Sequence, residues 1–334
     1  MKVYLDIGFG FTKGLSYVDN QERKVLRPSV YSDLPSTASE GETGILSPFG
    51  DYLFGDSALD TASMHNRFST YEDCLSDAYA ANVLLAISEM NGANVIDCEL
   101  VLSLPFDALY LQKELMARLT GTYRVRRLGY HHQTINVSFP KKWGVMPQNA
   151  APAFATLDPR KVDRTGLIWI GVANIGSKTF EMGTFGIDLD SYSLRPGTRE
   201  QQATRQVGAY TLANAIEPLL LEKFRGQLTS FDQHTIFKIM RDEQVELGNQ
   251  IVDVSDLIKG KKQEYIDTIT NHCRNLWSAQ NGRELLSVYQ FCLSGGGAHI
   301  VSDYLDFHNN IQVSDSPQFD VVVGSKNWHK LVGS

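Results

Sequence analysis

The alternation of apolar and polar residues predicts a strand at the start of the chain. Apolar residues between Val3 and Ile7 alternate with Tyr4 and Asp6, which is the period-2 pattern of a β-strand. Gly8-Phe9-Gly10 interrupts the pattern, and Thr12 to Val18 again has the composition of a strand. Two strands around a short glycine turn predict a β-hairpin rather than a strand followed directly by a helix.

The same order of elements returns in the second half of the chain. Leu167 to Ala173 is a short apolar run typical of a buried strand. Asn174 to Lys178 forms a polar turn, and Thr179 to Ile187 returns as a strand. A chain of 334 residues also exceeds the size of one average core. The repetition therefore predicts two domains of similar α/β construction.

Helical and apolar periodicity predicts the remaining main elements. The predicted helices are Leu75 to Met90, Asp107 to Leu119, Tyr210 to Leu221 and Tyr265 to Leu276. The other predicted strands are Glu99 to Leu104, a hairpin region from Tyr123 to Phe139, and Val288 to Leu293.

The charge balance and the apolar runs restrict the partners of the chain. The formal net charge is −7, which argues against a large surface that binds nucleic acid directly. No apolar run approaches the roughly 20 residues of a membrane span, so we expect no membrane insertion. The first residues form a strand pattern and leave no room for a signal peptide. We therefore expect a cytoplasmic protein.

The segment from Asp6 to Lys13 is a candidate phosphate-binding turn. The glycines Gly8 and Gly10 let backbone N–H groups approach phosphate oxygens. Lys13 can neutralise a terminal phosphate, and Asp6 can hold Mg²⁺ through the waters of the ion. The alternative is a plain hairpin without a ligand.

Two further segments are candidates for nucleotide contacts. Ser294-Gly295-Gly296-Gly297-Ala298 allows close backbone approach to the sugar, base or α-phosphate of a nucleotide, although an ordinary turn into a helix has the same composition. Asn174 to Thr179 occupies the position of a second phosphate hairpin. The chain lacks both the G-x-x-x-x-G-K-[ST] and the G-x-G-x-x-G motif at these segments, which excludes the P-loop and dinucleotide-binding classes.

In this order, the motifs resemble those of the actin-like ATPases, and within them the plasmid-partition branch typified by ParM. The matching segments are Asp6 to Lys13 (first phosphate loop), Arg27-Pro28-Ser29, Phe54-Gly55-Asp56, Leu102 to Pro105, Val145 to Gln148, Asn174 to Glu181 (second phosphate loop), Gly208 and Ser294 to Ala298 (adenosine motif).

The resemblance implies a fold and a division into domains. The expected fold class is α/β, an actin-like ATPase fold of two similar RNase H-like domains with a nucleotide cleft between them. Domain I is expected to comprise residues 1–150 and about 315–334, and domain II residues 151–314.

The resemblance also assigns roles to individual residues. Asp6 is implied near magnesium, Gln148 is implied to orient the attacking water, and Gly208 is implied at the start of a nucleotide-facing helix. The implied phosphate contacts are Gly8, Phe9, Gly10, Phe11 and Thr12 with Lys13 as counter-charge, and from the other domain Gly176, Ser177, Lys178 and Thr179. The implied adenosine contacts are Gly295, Gly296 and Gly297.

The chain departs from the pattern of the family at three places. Asn174 stands where the second loop has Asp, and Glu181 stands where it has a later Asp. Asparagine keeps the shape of aspartate but cannot carry its charge. Loss of one electrostatic group commonly costs a factor on the order of 10²–10³ in rate, so hydrolysis is expected to be slow or absent. In addition, Gln318 to Val322 replaces a helix start made of small residues.

The function implied by the resemblance is an ATP- and ADP-binding, Mg²⁺-dependent protein that self-associates into filaments. Its cargo would be plasmid DNA, held through a DNA-binding adaptor protein, and GTP remains open as the nucleotide. One alternative is a monomeric small-molecule kinase or phosphatase of the same fold, with Asp97 or Asp107 as the base. Another is a nucleotide-sensing scaffold without catalysis, which Asn174 motivates.

Overall fold

A computed structural model of the chain shows two compact units. Unit 1 comprises Met1–Ala155 and Val321–Ser334, and unit 2 comprises Thr156–Asp320. The residues that the structure describes are 1–35, 41–61, 65–91, 93–128, 134–139, 144–197, 201–227, 231, 233–277, 288–302 and 310–332.

Among the described residues, six strands precede the first α-helix, and the later strands stand between helices in groups of one to four. The strands are β1 Lys2–Ile7, β2 Phe11–Val18, β3 Gln21–Pro28, β4 Val30–Asp33, β5 Gly44–Ser47, β6 Gly50–Phe54, β7 Asn66–Arg67, β8 Val95–Asp97, β9 Glu99–Leu104, β10 Gly121–Arg127, β11 Thr134–Phe139, β12 Gly144–Pro147, β13 Leu167–Ile175, β14 Phe180–Asp188, β15 Leu194–Pro196, β16 Gln202–Arg205, β17 Gln244–Leu247, β18 Gln250–Asp253, β19 Gln290–Ser294 and β20 Ile311–Val313. The α-helices are α1 Asp56–Thr61, α2 Asp77–Met90, α3 Gln112–Leu119, α4 Ala151–Thr156, α5 Ala209–Lys223, α6 Gln233–Asp242, α7 Ser255–Trp277, α8 Ala298–Val301 and α9 Asp320–Val332.

The main sheets of the two units share one topology. In unit 1 the order is β12-β9-β1-β2-β3, in which β1 pairs antiparallel with β2 and parallel with β9. In unit 2 the order is β20-β19-β13-β14-β15, in which β13 pairs antiparallel with β14 and parallel with β19, and β16 also pairs with β14. The hairpin that the sequence predicts in each half of the chain is therefore the first part of each main sheet along the chain.

Helix α2 forms the centre of the core of unit 1. Its residues are buried on nearly all sides because it packs against β2 and β3 of the main sheet and against β5, β6, β10 and β11 of another sheet. That other sheet has the order β7-β4-β6-β5-β10-β11-β8. The helix begins where the Ser76 hydroxyl accepts the Tyr79 N–H at 3.1 Å, a standard N-cap.

The core of unit 2 lies between its main sheet and the helices α5 and α7. Ile216 and Leu220 of α5 are buried with Ile266 and Ile269 of α7 in one apolar cluster. The Trp277 indole closes this cluster and donates its N–H to the Thr184 hydroxyl at 3.0 Å. This layer of helices holds the β13–β14 hairpin in place.

Three predicted elements differ from the structure. The helix predicted over Tyr265 to Leu276 begins well before that range, at Ser255. The helix predicted from Leu75 begins at Asp77, because Tyr71–Leu75 is a separate 3₁₀ turn. The helix predicted over Asp107 to Leu119 is α-helical only from Gln112, since Phe106–Leu111 forms a 3₁₀ helix after Pro105. Pro105 has no backbone N–H and therefore cannot continue the ladder of β9.

Candidate functional site

The first hairpin turn joins β1 to β2 and is fixed on both sides. The Gly8 N–H donates to the Phe11 carbonyl at 3.0 Å, and the Gly10 carbonyl accepts the Ser29 N–H at 2.9 Å. The Phe9 ring lies 6.0 Å from the Tyr71 ring, centroid to centroid. The turn is therefore held by hydrogen bonds at both ends, while Phe9 packs on the protein.

Asp6 and its two partners form the polar centre of unit 1. Asp6 is 1% exposed and stands directly opposite Lys13 in the hairpin. The Lys13 ammonium lies 2.7 Å from one carboxylate oxygen, and the Gln148 side-chain N–H₂ donates to the other at 2.9 Å. A Cβ atom on Gly8 would lie 3.9 Å from the Gln148 nitrogen and 4.0 Å from the Lys13 nitrogen. The structure thus brings together Asp6, Gly8, Lys13 and Gln148.

The sheet topology explains why these residues meet. β1, β9 and β12 are parallel neighbours, so their carboxyl ends lie at one edge of the sheet, where ligands bind in open α/β sheets. Asp6 is near the end of β1, and Gln148 follows β12 directly. The Gln148 N–H donates to the carbonyl of Leu104, the last residue of β9, at 2.7 Å. Both side chains are placed by backbone pairing.

The Thr12 side chain points into the interior rather than to the surface of the turn. Thr12 is completely buried, and its hydroxyl oxygen lies 3.1 Å from the Ser29 hydroxyl and 2.9 Å from the Asn82 amide nitrogen. Sequence reasoning assigned Thr12 to phosphate contact and missed Asn82. The Thr12 hydroxyl is committed to the interior, so only the backbone of Thr12 is left for a ligand.

The second hairpin turn, between β13 and β14, repeats the geometry of the first. The Gly176 N–H donates to the Thr179 carbonyl at 2.9 Å. Asn174 stands opposite Glu181, where unit 1 has Asp6 opposite Lys13. Both Asn174 and Glu181 are buried, at 4% and 2% exposure. The two turns match in backbone, whereas the paired side chains differ in charge.

Helix α5 orients the peptide groups of the second hairpin turn. The carbonyl oxygens of the turn accept the first N–H groups of the helix: Gly176 from Ala209 at 2.9 Å, Ser177 from Tyr210 at 2.8 Å, and Lys178 from Gly208 at 3.1 Å. In a trans peptide the N–H points opposite to the C=O. The N–H groups of residues 177 to 179 therefore point away from the helix, as a binding site for an anion requires.

Gly208 is required by the close approach of α5 to this turn. A Cβ atom on Gly208 would lie 2.5 Å from the Ser177 carbonyl oxygen and 2.5 Å from the Lys178 carbonyl carbon. Any larger residue would push the helix off the turn. Gly208, predicted as a nucleotide contact, is therefore required for packing. It lies on the carbonyl side of the turn, opposite to the side to which the N–H groups point.

The glycine triplet also packs on the second hairpin turn. Gly295 has φ +86°, and a Cβ atom there would lie 2.3 Å from the Ile175 carbonyl oxygen and 2.7 Å from the Asn174 side-chain oxygen. A Cβ atom on Gly297 would lie 2.2 Å from the Ile175 side chain, while Gly296 is exposed with no neighbour within 4 Å. Packing therefore accounts for two of the three glycines, and Gly296 is the one open to a ligand.

Comparison with known proteins agrees with this geometry. Residues 5–150 match the family model described as the N-terminal domain of actin like proteins. A ParM filament protein from Clostridium botulinum aligns over 98% of each chain, with a TM-score of 0.77 and 18% identity. The chain has the actin-like fold. The resemblance to actin-like proteins that the sequence motifs indicated is confirmed.

Other solved structures with the actin-like fold contain nucleotides. An archaeal actin homolog in complex with ADP aligns over 99% of each chain, with a TM-score of 0.76 and 16% identity. ParM of Bacillus thuringiensis with ATP aligns over 98% of this chain and 96% of its own, with a TM-score of 0.70 and 13% identity. No curated protein sequence matches significantly. Within the described part of this actin-like chain, no helix has the length and apolar character needed to cross a membrane.

The donor set around Asp6 fits a magnesium ion held through its waters. Each carboxylate oxygen of Asp6 already accepts one hydrogen bond, from Lys13 or from Gln148, and keeps a further lone pair for a water. The Lys13 ammonium at 2.7 Å disfavours direct contact of a second cation with the carboxylate. Asp6 therefore suits the outer coordination sphere of Mg²⁺, where it would order the waters of the ion.

Asp320 is a buried carboxyl group next to the residue that precedes the glycine triplet. Desolvation raises the pKa of Asp320 to about 7, and this effect outweighs the opposing hydrogen bonds from the Ser314 and Ser294 hydroxyls. The Ser294 hydroxyl in turn lies 3.3 Å from the Pro317 carbonyl. The folded chain therefore binds a proton at Asp320 more tightly than the unfolded chain does.

We expect this carboxyl group to make stability fall as pH rises. Because the pKa of Asp320 is higher in the folded chain than in the unfolded chain, the group stabilises the fold fully below pH 3.8, the ordinary pKa. This stabilisation is lost as the pH rises to the folded pKa of about 7. Between pH 5 and pH 8 the free energy of unfolding should drop by about 2 kcal/mol from Asp320 alone. Urea unfolding at both pH values should show this drop in the native chain and in exposed Asp315→Asn, but not in Asp320→Asn. An equal drop in the native chain and in both variants would mean that groups other than Asp320 cause the loss of stability.

Proposed function

We propose that this actin-like chain binds ATP and ADP with Mg²⁺ and self-associates into filaments. The observation that carries the proposal is the pair of matching hairpin turns, one in each unit, with Gly8 to Phe11 and Gly176 to Thr179 closed by equivalent hydrogen bonds of 3.0 and 2.9 Å. Filament formation is supported by the ParM filament of Clostridium botulinum, which has this fold. The cargo we propose is plasmid DNA in the cytoplasm, held through a DNA-binding adaptor.

Backbone N–H groups of both turns are proposed to bind phosphate oxygens. In unit 1 Lys13 supplies the positive charge, and in unit 2 the N–H groups of residues 177 to 179 supply oriented dipoles. Phosphoryl transfer depends mainly on such positioning and electrostatics, so no covalent nucleophile is needed. Mg²⁺, when bound beside Asp6, would neutralise phosphate charge.

Gln148 is proposed to orient the water that attacks the γ-phosphate. Its side-chain N–H₂ donates to the Asp6 carboxylate at 2.9 Å, which fixes the orientation of the amide. The amide oxygen then faces away from Asp6 and can accept a hydrogen bond from water. Hydrolysis is proposed to be slow, because Asn174 cannot supply the charge of an aspartate in the second turn.

Polymerisation gated by ATP is the expected result in solution. Right-angle light scattering of the purified chain at about 10 µM should rise after addition of ATP and Mg²⁺, because a ligand that binds the assembling state better shifts the chain toward it. ADP and buffer without nucleotide should give no rise. Lys13→Met should abolish the rise because it removes the cation beside the turn.

The matched control is Lys2→Met on the neighbouring strand β1. The Lys2 ammonium forms a surface ion pair of 3.8 Å with Glu99, so the loss of this charge should leave scattering unchanged. A flat trace for the native chain, with ATP binding confirmed separately, would contradict the filament proposal and favour a monomeric enzyme or a silent scaffold. Equal loss in both variants would show that charge in general, rather than the site, controls assembly.

A further inference from the structure

A buried network of polar side chains runs from the first hairpin turn into the core of unit 1. Asn82 of α2 and Thr12 of β2 are both completely buried. The Asn82 amide nitrogen lies 2.9 Å from the Thr12 hydroxyl, which lies 3.1 Å from the Ser29 hydroxyl. On its other side Asn82 accepts hydrogen bonds from the Arg27 guanidinium, through the amide oxygen and, at 3.3 Å, through the backbone carbonyl.

The chemistry of the groups fixes the direction of the hydrogen bonds on either side of the Asn82 amide. Arginine is a donor only, so the amide oxygen of Asn82 must face Arg27 and its N–H₂ must face Thr12. The Thr12 hydroxyl therefore accepts from Asn82, and it shares a further hydrogen bond with Ser29 in which either hydroxyl can be the donor. The orientation of the Asn82 amide is thus set by Arg27, and the Asn82 amide in turn donates to Thr12.

Arg27 fixes the far end of the network. Its guanidinium forms an ion pair with Glu89, which lies two helical turns after Asn82 on the same face of α2. The guanidinium also lies 5.7 Å from the centre of the Phe54 ring. Because Arg27 is held by several contacts, Asn82 has a rigid support, and a rigid support holds a site in place better than a mobile one.

We propose that Asn82 is a positioning residue for the nucleotide site, acting through Thr12 on the first hairpin turn. Thr12 directly follows the turn and precedes Lys13, so its orientation sets both the peptide groups of the turn and the start of the lysine side chain. Without Asn82, buried Thr12 loses a partner that water cannot replace, and the turn is no longer held in one conformation. This inference rests on the proposed binding of ATP.

The test compares nucleotides that differ in the number of phosphates. Isothermal calorimetry with Mg²⁺ should show that Asn82→Ala weakens ATP binding about tenfold or more, because small misplacements at phosphate contacts have large effects. AMP, which lacks the β- and γ-phosphates, should lose much less affinity. The control is Ser88→Ala on the same helix, where a buried hydroxyl donates to the Leu85 carbonyl at 2.8 Å. It should leave both affinities unchanged.

A second pair of variants keeps the test decisive where Asn82→Ala fails to fold. Thr12→Val removes the hydroxyl at nearly constant volume and should weaken ATP binding as Asn82→Ala does. Thr12→Ser keeps the hydroxyl and should retain native affinity. Equal losses for ATP and AMP, or native affinity in Thr12→Val, would overturn the positioning role. A native chain that binds AMP, ADP and ATP equally weakly would overturn the proposed function itself, and this inference with it.

Discussion

Replacing Gly324 by alanine should lower the free energy of unfolding of the chain by more than about 3 kcal/mol, although alanine normally favours a helix. Gly324 lies in α9, and a Cβ atom there would stand 1.8 Å from the Ala151 carbonyl oxygen and 2.5 Å from its carbon. These are backbone atoms at the start of α4, so no side-chain rotation can relieve the overlap. The helix must move off the sheet, which would also separate the Ser325 and Ser103 hydroxyls, now 3.3 Å apart.

Gly260→Ala is the matched control for this prediction. Gly260 lies inside α7, and a Cβ atom there would meet nothing within 4 Å. The alanine should therefore stabilise the chain by roughly 0.5–1 kcal/mol, the ordinary difference in helix propensity. Urea unfolding followed by circular dichroism measures both variants. Native stability of Gly324→Ala would show that α9 is not packed against α4 as described.

The small residues of the C-terminal helix come later in the helix than the pattern of the family has them. Gln318 to Val322 replaces the helix start made of small residues that the family pattern has. In the structure α9 begins at Asp320, and its small residues, Gly324 and Ser325, come one turn later, where they meet α4 and β9. Close approach of two backbones fixes the position of a glycine in space, which a comparison of sequence positions does not show.

The hairpins were predictable because their information is local. Alternating residues around a glycine turn place Asp6 opposite Lys13 and Asn174 opposite Glu181 whenever the hairpin forms. Gln148 was found only through the resemblance, since its contact with Asp6 spans 142 positions along the chain. No periodicity in the sequence reports a pairing over such a distance.

Asn82 was missed for a related reason. It lies in the middle of a helix whose residues are buried on nearly all sides, so its polar side chain had no visible partner in the sequence. Its partner Thr12 is 70 positions away, on the hairpin. A buried asparagine in an apolar helix is itself a signal, because buried polar groups are nearly always hydrogen-bonded. A buried asparagine thus indicates that a hydrogen-bond partner exists, but it does not indicate which residue that partner is.

Asn174→Asp should raise the rate of phosphate release from ATP by about 10- to 100-fold and destabilise unit 2 at neutral pH. On the proposed function, the rate should rise because an aspartate would supply a negative charge that polarises the attacking water. The stability should fall by about 2 kcal/mol, because the new carboxylate stands directly opposite buried Glu181 on neighbouring strands. Asparagine at this position avoids that repulsion, which gives a physical reason for the departure from the family pattern.

The double variant Asn174→Asp with Glu181→Gln separates the two effects. It removes the repulsion, so native stability should return, whereas Glu181→Gln alone should change stability less. Because repulsion raises the pKa of one carboxyl group in Asn174→Asp, its deficit in stability should shrink as pH falls. Coupled phosphate-release assays and urea unfolding at pH 5 and pH 8 measure these expectations. An unchanged rate in Asn174→Asp would place the attacking water away from the second turn, and unchanged stability would mean that the two side chains do not face each other.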